Sequence, residues 1–98
     1  MNPSNYVEFT DTFLDIVSKV NEKEIEILDY CNQNSDKNEK VNYTTFGIDK
    51  NTYNFYIQDL ISKCLLIDDS INRYDTRPLD MVKITEFGKD FLDFIKDN

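Results

Sequence analysis

Ninety-eight residues, 40% of them hydrophobic, suffice for one domain with one core and are too few for two. The net charge of −8 divides into nine acidic and four basic side chains in residues 1–40 and ten and seven in residues 41–98, so a polyanion meets repulsion unless cations gather on one face. There is no histidine and there are two cysteines, which excludes imidazole acid–base chemistry and an ordinary structural zinc site; no cofactor or metal ion is expected.

Tyr6, Phe9, Phe13, Ile16, Val17 and Val20 recur at three- and four-residue spacing, with Glu8, Asp11, Thr12, Asp15 and Lys19 on the other side. That period predicts an amphipathic helix within residues 1–20. Asn21 interrupts it, and Asn21-x-x-Glu24 has the spacing of a capping box for a second helix over 21–33. Ile25, Ile27, Leu28, Tyr30 and Cys31 give this helix a broad apolar stripe. Asn32 to Lys40 holds no apolar residue and reads as a solvated loop.

Residues 41–67 form a segment like a helix-turn-helix. Val41, Tyr43, Thr44 and Thr45 favour a strand, so a strand and one abbreviated turn of helix are expected over Val41–Ile48. Gly47 can take the positive φ of a tight turn, Ile48 can anchor that turn in a core, and Asp49, Asn51 or Thr52 can cap the next helix. That helix is predicted over Lys50–Lys63. Tyr53, Tyr56, Ile57, Leu60, Ile61 and Cys64 gather on one face, and Asn51, Phe55, Gln58, Asp59 and Ser62 lie on the other. Cys31 and Cys64 both fall inside predicted helices at positions that can face inward, where free thiols act as small hydrophobes. Leu66–Tyr74 and Leu79–Thr85 then pair as an antiparallel hairpin within residues 66–85, with Asp75-Thr76-Arg77-Pro78 near its tip. Thr85 caps a last helix over 86–96 that buries Phe87, Phe91, Leu92 and Ile95. The core should hold Phe13, Ile25, Leu28, Ile57, Leu60, Phe87 and Phe91. No apolar run approaches the ~20 residues of a membrane span, and the N-terminus has no basic region followed by an apolar stretch. A soluble, cytoplasmic protein is expected.

This order of elements predicts a single α+β domain over residues 1–98, a winged helix-turn-helix with an extra N-terminal helix and a C-terminal helix. Such a fold usually reads DNA with the outward face of its recognition helix, here Lys50–Lys63, yet that face is poor in cations. Asn51 and Gln58 can reach base edges; Phe55 cannot, and Asp59 would face phosphates with the wrong sign. Lys50, Arg73 and Arg77 are the cations near the helix start and the hairpin. An outward Phe55 suits a protein contact, though the N-terminal helix could also cover it, and a DNA contact stays open. Asp68 with Asp69, Asp90 with Asp93, and Glu22, Glu24 and Glu26 read as solvated faces. Gly47 and Gly88 are the only glycines, so no loop cradles a phosphate, and no catalysis is expected.

ITEFGKDF, residues 84–91, resembles the ITxxGxxF ending of winged-helix regulators, and Tyr56–Leu60 through Leu65–Ile67 resembles their segment joining helix to wing. Those regulators usually carry a Gly before the Leu-Ile pair, where this chain has Cys64-Leu65. Asn2-Pro3-Ser4 with Val7-Glu8, Glu24-Ile25 with Ile27-Leu28, Leu60 to Ile67, and Ile84-Thr85 with Phe87-Gly88 and Phe91 are similar to the C-terminal half of the abortive-infection alpha family of phage-defence proteins. That resemblance spans nearly the whole chain and implies a role in bacteriophage–host conflict without DNA reading; the family's N-terminal portion is absent here, so its activity does not carry over. Two functions are expected on these grounds. One is a non-enzymatic module that binds a protein partner or a second copy of itself through Asn51, Phe55, Gln58 and Asp59, its acidic surface able to mimic nucleic acid. The other is a dimeric, sequence-specific DNA-binding regulator using Lys50, Asn51, Arg73 and Arg77.

Overall fold

The computed structural model describes residues 4–34, 41–70 and 81–96, with residues 4–9 described as helical backbone. Among the described residues, four helices and a two-stranded antiparallel sheet give an α+β arrangement in the order α1 (Ser4–Lys19), α2 (Glu22–Gln33), a 3₁₀ turn (Tyr43–Phe46), α3 (Lys50–Ser62), β1 (Leu66–Asp68), β2 (Val82–Ile84) and α4 (Glu86–Lys96).

The capping box forms as its spacing predicts. Asn21 Oδ1 accepts from Glu24 N at 2.8 Å, and Glu24 Oε1 accepts from Asn21 N at 3.3 Å, so the chain leaves α1 and restarts as α2 within two residues. Ile27, Leu28 and Cys31 of α2 are buried, and Ile25 and Tyr30 are partly so. On α1, Phe13 and Ile16 are buried while Val17 is 38% exposed. The inward face is thus narrower than the sequence period suggests: residues 13, 16 and 20 face the core, and Val17 lies at the edge of that stripe. Glu8, Tyr6 and Phe9 belong to the backbone-only part of α1.

No strand forms over Val41–Ile48. The expected abbreviated turn of helix does form, as the 3₁₀ turn, because Asn42 caps it and Phe46 is drawn inward. Asn42 Oδ1 accepts from Thr44 N and Thr44 Oγ1, at 3.0 and 2.8 Å. The buried Phe46 ring stacks on Tyr53 at 6.0 Å and meets the edge of Tyr30 at 5.4 Å, so one ring ties the turn to both α2 and α3. Gly47 then reverses the chain at φ +69°, and the half-buried Ile48 packs on the core as expected.

The sheet is short. Leu66 pairs with Ile84, Ile67 with Lys83 and Asp68 with Val82, so Leu66, Val82 and Ile84 face the core while Ile67 points out at 56% exposure. Beyond Asp68 the pairing continues through a side chain: the buried Ser70 Oγ accepts from Met81 N at 2.8 Å, and Asp69 N donates to Met81 O at 2.7 Å. The expected strand extensions to Tyr74 and from Leu79, the hairpin tip, Arg73 and Arg77 all lie outside the described residues.

Thr85 ends β2 and begins α4. Its Oγ1 accepts from Gly88 N at 2.8 Å and donates to Cys64 O at 2.6 Å, which caps α4 and fastens it to the end of α3. Of the expected core, Phe13, Leu28, Ile57, Leu60 and Phe91 are buried; Ile25 and Phe87 are half-buried against it. Phe13 stands 5.2 Å from Phe87, 5.7 Å from Phe91 and 5.2 Å from Phe94, and this aromatic cluster seats α1 on α4.

Candidate interaction face

Helix α3 is fixed at both ends, and this holds its outward face steady. Asp49 is the cap that forms, of the three residues able to: its Oδ1 accepts from Thr52 N at 2.8 Å, and bonds from Thr52 hold its carboxyl below the ordinary range. At the other end Leu65 N donates to Leu60 O and Cys64 N to Ile61 O, at 3.0 and 2.9 Å, the paired bonds of a Schellman motif. Cys64 therefore lies past the end of α3, exposed and at φ +65°, and not inward on the helix as its spacing suggests. Cys31 does behave as a buried hydrophobe, and burial pushes its thiol up to about 12, leaving it protonated and inert.

Tyr53, Ile57 and Leu60 of α3 are buried, and Tyr56 and Ile61 half-buried. Asn51, Gln58 and Ser62 are exposed on the far side, with Lys50 at the helix start. Between Asn51 and Gln58 stands Phe55, 67% exposed, its ring meeting only the edge of Tyr56 among the described aromatic contacts, at 6.0 Å. Helix α1, which could have covered it, packs on α4. No described part of the chain buries this ring.

Asp59 departs from the outward set. It is half-buried, turned toward α2, with Lys63 Nζ 2.6 Å from its Oδ1. Its partner across the helix contact is Glu24, with which it shares a side-chain hydrogen bond. Glu24 is only 3% exposed, contrary to its reading as part of a solvated face beside Glu22 and Glu26. Burial pushes its carboxyl up to about 7, and the bond to Asp59 adds to that rise. Glu24's hydrogen bond, with help from Lys63, holds Asp59 below the ordinary carboxylate range. Burial and the neighbouring Asp59 thus both favour the protonated form of Glu24, the form able to donate to Asp59. A signal for this was present in the sequence: Glu24, Ile27, Leu28 and Cys31 share the i, i+3, i+4, i+7 stripe of α2.

A cleft of about 200 Å³ between α2 and the 3₁₀ turn is lined by Glu26, Asp29, Tyr30, Gln33, Thr45 and Phe46. Its carboxylates are occupied by the chain's own cations, Lys23 at 3.0 Å from Glu26 and Lys96 at 2.8 Å from Asp29. Among the described residues no group of three or more Cys, Asp or Glu is placed to hold a metal ion, and no helix is long and apolar enough to cross a membrane. Comparison with known protein families, curated proteins and solved structures gives no match to this chain.

Proposed function

We propose that the chain is a non-enzymatic winged-helix module that acts by protein–protein contact, with the Asn51–Phe55–Gln58 face of α3 as its docking surface. The order α2, 3₁₀ turn, α3, β1, β2, α4 supports the winged-helix reading, the 3₁₀ turn standing where such folds place their second helix. The observation that carries the functional reading is the exposed Phe55 ring at the centre of that face. Burying it against a partner contributes roughly 1.5–3 kcal/mol, whereas the same ring offers a phosphate nothing. Asp59 lies at the rim of this face, engaged with Lys63 and Glu24, and is not a direct contact in this reading.

The partner is a second copy of the chain or a different protein. The resemblance to abortive-infection alpha proteins would set that partner in bacteriophage–host conflict, where an acidic module can occupy a channel meant for nucleic acid. Changing Phe55 to Glu should weaken self-association, read by sedimentation, or capture of the partner, while leaving the circular dichroism and unfolding midpoint in place. Changing Arg73 and Arg77 together to Glu should do less. If the double arginine change abolishes salt-sensitive duplex binding and Phe55→Glu leaves association untouched, the DNA-binding regulator is the correct reading.

A further inference from the structure

Where α2 meets α3, one carboxyl is buried beside another. Glu24 Oε1 accepts from Asn21 N at 3.3 Å, but Oε2 is buried with no donor facing it. The neighbour it does have, Asp59, is itself a carboxylate, engaged by Lys63 Nζ at 2.6 Å. Two ionised carboxylates would set two negative charges against one ammonium, with Glu24 itself only 3% exposed. A proton on Glu24 removes the conflict, since Oε2–H then donates to Asp59 and every polar atom of the cluster is satisfied. The other described cations near these elements are Lys50, exposed at the opposite end of α3, and ones engaged elsewhere: Lys23 with Glu26 and the Phe46 carbonyl on the 3₁₀ turn, Lys83 of β2 with Asp69, Lys89 of α4 with Glu86, and Lys96 of α4 with Asp29. The charges acting on Glu24 are therefore those of Asp59 and Lys63.

We infer that Glu24, Asp59 and Lys63 form a proton-held latch between α2 and α3, closed while Glu24 carries its proton and loosened when the proton leaves. The latch goes beyond the partner-binding reading and stands without it, though it sets how firmly the Phe55 face is held. Because the folded chain keeps a proton that the unfolded chain releases, stability is greatest below the ordinary glutamate range and declines as pH rises toward neutrality.

The test is denaturant unfolding of the full chain between about pH 5 and pH 8, with carboxyl-carbon NMR of Glu24. The folding equilibrium constant of the native chain should fall by up to about tenfold per pH unit over the lower part of that window, one proton's worth. Glu24→Gln should remove this component, because its amide donates to Asp59 and its carbonyl still accepts from Asn21 N. Asp59→Asn should move the Glu24 titration toward the ordinary carboxylate range. Amide exchange along α3, corrected for intrinsic base catalysis, should rise with pH in the native chain and stay level in Glu24→Gln. A Glu24 carboxyl that titrates like a solvated glutamate in the native chain overturns the latch, and so does an equal pH slope in the native chain and Glu24→Gln. Should Glu24→Gln fail to fold, the NMR titration of the native chain decides by itself.

Discussion

Cys64 holds φ +65° with a side chain that gains nothing from it. An L-residue in the left-handed region costs roughly 1–2 kcal/mol relative to the right-handed one, and glycine escapes most of that cost. The Schellman bonds from Cys64 N and Leu65 N force the conformation, and Thr85 Oγ1 binds the Cys64 carbonyl, which any residue would supply. Cys64→Gly should therefore raise stability by about 1 kcal/mol in urea unfolding, and Cys64→Val should lower it, since a branched Cβ tolerates positive φ poorly. An unchanged midpoint for the glycine variant would mean that the thiol packs better than its exposure indicates. Gly88 presents the opposite case. A Cβ there would overlap the Leu65 carbonyl oxygen and lie 2.8 Å from Ile84 Cγ1. Alanine is the better helix former by about 1 kcal/mol, yet Gly88→Ala should destabilise by about 1–3 kcal/mol because α4 must move off the Leu65 backbone and Ile84 of β2. Both positions were partly legible. The ITxxGxxF pattern marks Gly88, and the missing glycine before Leu65 marks a strained turn, but the contact that makes each matter needs the fold.

At the scale of elements, caps and periods were readable and the segment between them was not. Asn21 and Thr85 cap the helices their spacing predicts, and Asp49 is the one of three candidates that caps α3, because a cap depends on three or four neighbouring residues. Val41–Thr45 was misread as a strand because its residues favour one in isolation; with Asn42 capping and Phe46 drawn between Tyr30 and Tyr53, local bonding and tertiary packing override that preference. Glu24 was misread for a different reason. It is a charged residue on an apolar stripe, and only the approach of Asp59 from α3 supplies the partner that lets it stay buried. The Asp49 cap makes its own prediction. Bonds from Thr52 lower its folded pKa, so its contribution is present above the ordinary carboxylate range and is lost as pH falls through that lowered value. Asp49→Asn accepts the same backbone bond without titrating. Its unfolding midpoint should lose that part of the acid dependence, whereas Asp49→Ala should lower the midpoint at neutral pH as well. An identical acid profile in native chain and Asp49→Asn would show that the carboxylate bond contributes nothing.

For the whole molecule the sign of the field decides between the two functions. Lys19, Lys23, Lys63, Lys83, Lys89 and Lys96 each lie between 2.6 and 3.7 Å from a carboxylate, so their charges are largely offset before any ligand arrives. Lys50 at the start of α3 is the described cation outside those pairs; the regulator reading adds Arg73 and Arg77, which with Lys37 and Lys40 lie outside the described residues. Each phosphate neutralised steepens the dependence of log K on log salt by about 0.9, so three such contacts give a slope no steeper than about −3. A net charge of −8 opposes even that encounter. The chain should accordingly pass through immobilised heparin at low salt, and duplex DNA should show at most weak binding with a shallow slope. Raising the salt should leave association through the Phe55 face nearly unchanged, because burial of an aromatic ring is not screened. Tight duplex binding with a slope well beyond −3 would mean that Arg73 and Arg77 gather with other cations into a basic surface, and the protein-contact reading would then fail.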